Sequence, residues 1–422
     1  MKRKVIATFM AVCMAIIATV FLYLLSIRPP ESCMNWGNED FHEDASEKTL
    51  IDCLNAGANP NIKGDYGTPA LSLAISYTKN LELIQLFLDK GANPNRGDVF
   101  DRTALHWAMF SNSAPAIVDV LIDAGADVNA KDEDGITPLA QLMQNEPEVG
   151  VNVTLIERLV DAGANINFRN DNGETLLHIA VEHYASATTL KALIAHNIDF
   201  GIGLTALDVL LCKEPNVEKV RIFLEAEPNL TAPDPWGRTP LSKAIWCRAP
   251  IAVLKTLIEA GAPVNSKDEN GNTPFHNFWL YDGFGPRAPK AIAMMIDAGA
   301  DVNAQNADAD TALMLEVILE DSNPKIIKIL LSAGADVTIA NEYQQTALHW
   351  LARYSDEPSL IQHVIDVGAD INARDENGQT PLHWAAEDNR HTVVDMLLKM
   401  GADASIKDNN GQAPNELIID TQ

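Results

Sequence analysis

Positive charge is scarce in this chain of 422 residues: 31 Lys and Arg stand against 58 Asp and Glu, for a formal net charge of −27 at pH 7. Such a field repels nucleic acid and anionic lipid headgroups and steers a basic protein toward it. Catalytic signatures are lacking as well. No G-x-S-x-G turn, Walker loop or H-E-x-x-H pair occurs, and without a C-x-x-C neither a zinc ribbon nor a dithiol redox motif is indicated. His178 and His183 lie five residues apart, not at the four-residue spacing of a helical zinc pair. The expectation is therefore a protein that is not an enzyme and carries no metal or cofactor; a hydrolase finds no supporting residue.

One long apolar run is present. Lys2, Arg3 and Lys4 precede Val5 to Ile27, 23 residues almost free of polar groups. As a helix these span about 35 Å, enough for a hydrocarbon core of about 30 Å. The run exceeds the usual core of a secretory signal, and Ser26-Ile27-Arg28-Pro29-Pro30 offers no small-x-small cleavage site. It reads as an uncleaved anchor, with a cleaved signal as the alternative. Three basic residues lie before it, and Glu31, Glu39, Asp40, Glu43 and Asp44 after it. The short N-terminus is then cytoplasmic and the remainder lies outside, in the periplasm of a bacterial envelope or its equivalent.

Beyond that run the chain repeats itself. Asp375 to Ser405 reads DENGQTPLHWAAEDNRHTVVDMLLKMGADAS: a turn, a short helix opening at Thr380-Pro381-Leu382-His383, and a second amphipathic segment ending at Gly401. The glycine of this G-A-[DN]-x-N signal recurs at Gly57, Gly91, Gly125, Gly163, Gly261, Gly299, Gly334, Gly368 and Gly401. Most steps are 33 to 38 residues; one of 98 is filled by degraded copies at His196-Asn197-Ile198-Asp199 and Glu227-Pro228-Asn229. Upstream copies of the second signal include Thr103-Ala104-Leu105-His106, Thr175-Leu176-Leu177-His178, Thr239-Pro240-Leu241, Thr273-Pro274-Phe275-His276 and Thr346-Ala347-Leu348-His349. Each choice has a local reason. Thr caps a helix, Pro is tolerated in a first turn, and Gly accepts the left-handed cap. One such unit buries too little to stand alone and has to stack on its copies.

From about Ser46 onward the chain resembles the ankyrin repeat family, whose units run about 33 residues with a T-P-L-H signature. The resemblance implies an all-α ankyrin-repeat solenoid of helix-turn-helix units with hairpin loops, here preceded by one transmembrane helix. Three segments are expected: the tip and anchor at residues 1–28, a polar stem at 29–47, and the solenoid at 48–422. The solenoid divides into a degenerate cap around Thr49 to Ile62, ten units and a truncated last unit at Asp408 to Ile418. It also implies that His106, His178, His276, His349 and His383 bridge adjacent loops and do no catalysis. Trp107, Trp350 and Trp384, which come directly after motif histidines, are assigned to packing between units.

Of the five cysteines, Cys13 lies in the apolar run. An exported chain can oxidise the others, and Cys33 with Cys53 is the better pair because both lie near the N-terminal cap. Cys212 and Cys247 fall in adjacent units, but helices stack about 8–10 Å apart. These two are expected to be free, buried thiols.

The resemblance places protein binding on hairpin tips and the exposed ends of first helices. Four units carry an aromatic before the turn-glycine slot, Tyr66, Phe100, Trp236 and Tyr343, and the same four carry Tyr77, Phe110, Trp246 and Tyr354 at the end of the first helix. Paired aromatics suit binding hot spots. Trp236 and Trp246 are expected at the centre, with Asp234 at the rim and neither ring needed by the stack. Two units are longer, through Gln144 to Gly150 and through Tyr281 to Pro289; the latter, with Tyr281 and Phe284, is the better binding loop. The expected partner is a protein, a basic one on grounds of charge, and the membrane is met only through the N-terminal helix. A tethered scaffold or assembly factor is one reading, and an inhibitor neutralising a basic toxin the other.

Topology is directly testable. A reporter active only outside the cytoplasm, fused after Gln422, should be active and stay with membranes after a high-salt wash. Activity in the soluble fraction would mean cleavage, and no activity would invert the orientation.

Overall fold

Helices of seven to nine residues are too short to persist alone in water, and nearly every helix of this protein is that short. They are stable only by stacking. The computed structural model describes residues 47–61, 63, 67–144, 153–198, 205–226, 229–280, 288–319, 322–355 and 357–417. The expected span Val5 to Ile27 lies outside these; among the described residues no helix is long and apolar enough to cross a membrane.

The chain falls into two compact units, divided after Gly201. The first holds α1 (Glu47–Asn55) and four helix pairs: α2 (Ala70–Tyr77) with α3 (Leu81–Asp89), α4 (Ala104–Phe110) with α5 (Pro115–Asp123), α6 (Pro138–Met143) with α7 (Val153–Asp161), and α8 (Leu176–Glu182) with α9 (Ala187–Ile194). The second holds six pairs: α10 (Ala206–Lys213) with α11 (Val217–Glu225), α12 (Pro240–Trp246) with α13 (Ile251–Glu259), α14 (Asn277–Leu280) with α15 (Ala288–Asp297), α16 (Ala312–Ile318) with α17 (Pro324–Ser332), α18 (Ala347–Tyr354) with α19 (Pro358–Asp366), and α20 (Pro381–Glu387) with α21 (His391–Lys399). The four-residue α22 (Pro414–Leu417) packs on α20. Within each unit first helices stack on first helices. No strand forms among the described residues, only isolated bridges such as Arg169 with Thr175.

Burial tracks position in the pair. In α4 all residues from Ala104 to Met109 are buried, because this helix is enclosed by neighbours and by its own partner. Its partner α5 buries only Ile117, Val118 and Leu121, one stripe at helical spacing, and shows its other side to water. The second helix ends in a left-handed residue, such as Gly125 with φ 82°, whose N–H bonds back to Ile122. In the degraded copy Asn197 does the same at φ 56°, as asparagine can.

Two polar bridges tie each repeat to the next. The final Asn of the glycine signal donates to the carbonyl of the next cap glycine, as Asn95 does to Gly125 at 2.8 Å, and accepts the Asp127 N–H at 2.7 Å. The same pair of bonds recurs at Asn61, Asn129, Asn265 and Asn303. The motif histidine supplies the second bridge. His106 Nδ1 accepts the Thr103 backbone N–H at 3.1 Å, so this nitrogen carries no proton. Its Nε2–H therefore donates to the Ile136 carbonyl of the following repeat at 3.0 Å. His276, His349 and His383 reach Asp310, Gln379 and Gln412 in the same way at 3.2–3.3 Å. Trp350 and Trp384, with ring centroids 4.9 Å apart, pack between adjacent repeats as expected.

The cysteines correct the sequence reading. Cys212 and Cys247 are joined in a disulfide, Cα to Cα 4.9 Å, and lie at the surface, Cys212 exposed and Cys247 half-buried. The helix-to-helix spacing concerns axes, whereas each Cα stands about 2.3 Å off its axis, so two on facing sides approach by about 4–5 Å. A cross-link closing a loop of this size (sequence separation 35) is worth about 4 kcal/mol in the chain-entropy account. Cys53, buried in α1, is also disulfide-bonded; Cys33, its expected partner, lies outside the described residues.

Burial lowers the pKa of His106, His276 and His349, against the raising effect of the carbonyl each one bonds. A depressed folded-state value means the unfolded chain binds protons first. The stability these residues contribute is complete above the ordinary value of 6.5 and is lost as pH falls through the folded values. The carboxyls of Asp132, Asp208, Asp310 and Glu316 are raised by burial and act in the opposite sense at lower pH. The urea midpoint, followed by circular dichroism, should therefore fall between about pH 7.5 and about pH 5.5 in the wild type. It should fall less in a His106→Gln/His276→Gln/His349→Gln variant, whose amides retain the cap and do not titrate. Equal falls would contradict the neutral bridge.

Candidate protein-binding surface

Each repeat opens on a turn carboxylate or amide whose oxygen accepts the N–H groups two and four residues on. Asp98 Oδ1 takes those of Phe100 and Arg102 at 2.8 and 3.0 Å; Asp234 Oδ1 takes those of Trp236 and Arg238 at 2.9 and 3.0 Å. The second oxygen is left for a side chain, and in these two repeats residue four on is an arginine. Arg102 binds Asp98 Oδ2 through Nε at 3.0 Å and Nη2 at 2.9 Å. Arg238 binds Asp234 Oδ2 at 2.9 and 2.8 Å. This fork lays each guanidinium flat against aromatic rings.

In the second unit the result is a sandwich. The Arg238 guanidinium carbon lies 4.7 Å from the Trp236 ring centre and 4.6 Å from that of Trp246. Lys243 fills the slot that holds Trp107 in the first unit, and its Nζ approaches the same rings at 5.5 and 4.7 Å. Trp236 is 56% exposed, while Asp234, Arg238 and Lys243 are buried beneath the rings. Burial pushes the Asp234 carboxyl up, but the hydrogen bonds and charge of Arg238 outweigh this and hold it low. Burial, then the Arg238 charge, lowers Lys243 against the pull of Asp234. Asp234 is thus an anchor under the rings and not the rim residue expected, because its oxygens are consumed by the turn and two cations. The rings also cover those cations, so removing both would cost the fold something.

In the first unit Arg102 lies 4.8 Å from the Phe100 ring and 4.9 Å from Trp107. Phe110 meets Trp107 edge-on at 6.1 Å and is 43% exposed. Phe100 and Phe110 edge a cleft of about 650 Å³, built from three successive repeats. Its opposite side is the next two hairpin tips, with Asp132, Glu133, Asp134, Asp171 and Glu174, and its floor includes Gln141 and Gln144. None of these five carboxylates has a salt bridge among the described residues. Burial, and the neighbouring Asp134 charge, raise the Asp132 carboxyl against the turn N–H groups that stabilise it. Charge repulsion is left uncompensated there. A cation entering the cleft relieves it.

Among the remaining predicted residues, Tyr343 and Tyr354 are each 45% exposed. Tyr354 stacks on Trp350 with centroids 5.9 Å apart, and Arg353 bridges it to Trp384 while bonding Asp388 at 2.8 Å. Tyr343 bonds Glu342 and lies at the tip, apart from that cluster. The Tyr77 side chain, Tyr66, Tyr281 and Phe284 lie outside the described residues.

Ankyrin repeat models match most of this chain: "Ankyrin repeats (3 copies)" at residues 42–132, 116–203, 139–234, 285–375 and 315–408, and "Ankyrin repeats (many copies)" at 224–276. The chain belongs to the ankyrin repeat family. No curated protein matches it. Ankyrin repeats are protein–protein interaction scaffolds and in general not enzymes, so the tips and first-helix ends of this ankyrin protein are read as contact surface. Sequence reasoning singled out the aromatics and missed Arg102, Arg238 and Lys243. The signal was present as Asp-x-aromatic-x-Arg at 98–102 and 234–238. It occurs in only two repeats and departs from the repeat consensus.

Proposed function

We propose that this ankyrin protein is a membrane-anchored scaffold facing the cell envelope, which holds a partner through a basic segment. The observation that carries the proposal is the first-unit cleft, where five carboxylates without salt bridges face two phenylalanines. Carboxylates there attract Lys or Arg, and the rings accept the apolar stems and the cation faces of those side chains. The net charge of −27 adds long-range steering. The tryptophan sandwich of the second unit offers a rigid apolar contact that is already ordered before binding, so little side-chain entropy is lost there.

Two features support the envelope side. The Lys2-Arg3-Lys4 flank before Val5 to Ile27 favours export of the repeats on the far side of that run. The Cys212–Cys247 bond and the bonded Cys53 suit an oxidising compartment, since such bonds are rare where thiols are kept reduced.

The test is a pull-down from envelope extract with the full-length chain, comparing wild type with Glu133→Gln/Asp134→Asn/Asp171→Asn and, separately, Trp236→Ala. Trp236 is chosen alone because Trp246 is the less exposed of the two covers over the buried cations. Each variant should retain its helical dichroism and weaken recovery of the partner by at least about 2 kcal/mol, the hot-spot threshold. Salt should weaken wild-type capture more than capture by the cleft variant. Undiminished recovery by folded variants would remove both faces and leave the loop from Tyr281 to Pro289 as the place to look.

A further inference from the structure

We propose that the Cys212–Cys247 disulfide is a thiol-exchange site, attacked by an anionic thiolate at Cys212, whose opening releases the end of α12 that carries Trp246. This does not depend on the identity of the partner. Access comes first. Cys212 is exposed and Cys247 half-buried, so the Cys212 sulfur is the one an incoming nucleophile reaches. Reactivity toward thiols depends on access and on the stability of the departing thiolate.

Charge gives the second argument. An attacking thiolate is repelled by a chain of net charge −27 almost everywhere. At this bond each cysteine is succeeded by an exposed basic residue, Lys213 and Arg248. The nearest acid in sequence, Glu214, is paired to Lys219 at 2.5 Å. The local field therefore favours both the arriving thiolate and the one that leaves.

Place in the fold gives the consequence. Cys212 sits in the last turn of α10, and Cys247 caps the C-terminus of α12 directly after Trp246. The cross-link thus fixes the end of the helix whose final ring covers Arg238. The stack itself does not rest on it, because Leu207, Leu210 and Leu211 of α10 and Leu241, Ala244 and Ile245 of α12 are buried independently. Opening the bond loosens the recognition surface and leaves the core.

The chemistry balances with a dithiol as co-reactant. Its thiolate attacks Cys212 Sγ, the S–S bond breaks, and the electron pair leaves on Cys247 Sγ, which takes a proton. The second thiol then attacks the mixed disulfide and releases the Cys212 thiolate. Two electrons pass to the protein, which ends with two thiols, and the dithiol ends as a disulfide. A monothiol stops at the mixed disulfide or completes the reduction with a second molecule.

The experiment uses the full chain in detergent micelles with glutathione, an anionic thiol, or cysteamine, a cationic one, at neutral pH. Acid quenching and alkylation precede peptide mass spectrometry and circular dichroism. The adduct should appear on Cys212 while the helical signal is intact. Lys213→Gln/Arg248→Gln should slow glutathione exchange roughly tenfold and change the cysteamine rate far less. After reduction, amide exchange at residues 246–249 should speed up relative to that of α10 and α13. Exchange only after the helices melt would make the bond a closed structural staple. An adduct mainly on Cys247, equal glutathione rates in the two proteins, or unchanged amide exchange would each overturn the proposal as stated.

Discussion

A buried imidazole whose Nδ1 must accept a backbone N–H has no choice about its other nitrogen: Nε2 carries the proton and needs an acceptor. In this protein the acceptor is a carbonyl of the next repeat, at His106, His276, His349 and His383. An unmade hydrogen bond at such a site costs about 1–3 kcal/mol, so the neighbouring repeat is held at one height and one rotation. The arrangement of the hairpin tips depends on that registration. With the asparagine bridge it sets each tip against the next, so the Glu133 N–H meets the Phe100 carbonyl and that of Glu376 meets Tyr343. The stack is thus secured from within, and the tip side chains are left available for recognition.

What the tips do with that freedom is uneven. Most repeats place ordinary polar residues four after the turn carboxylate, and two place an arginine there. In an acidic molecule these arginines are islands of positive charge, each fixed by a buried aspartate and each spreading aromatic rings into a rigid surface. The first lies beside a cleft of carboxylates without salt bridges, so one face offers apolar rings and negative charge together. The second lies beside the disulfide, so its geometry is coupled to the oxidation state of the compartment.

The repeat period, the capping threonines and the turn glycines were legible in the sequence because each is a local choice made over and over. The bridging role of histidine came from family likeness, whereas its tautomer and partners required coordinates. Other features were misread for identifiable reasons. Cys212 and Cys247 were judged by the distance between helix axes, which overstates the separation of residues on facing sides. Asp234 was read as a surface acid because its neighbours are polar in sequence, yet the turn N–H groups and two cations draw it under the rings. The cleft was invisible because its walls come from three repeats whose residues are distant along the chain. No periodic pattern marks it.

The central claim is that contact with other proteins is made by tips and first-helix ends, while the outward face of the second helices stays clear. A photo-cross-linking amino acid placed singly at Phe110, Trp236 and Lys255 in cells, with irradiation and purification, tests this without knowing the partner. Lys255 is the reference, exposed on the outward face of α13. The account predicts the same discrete cross-linked species from positions 110 and 236 and none from 255. Cross-linking confined to position 255 would contradict it.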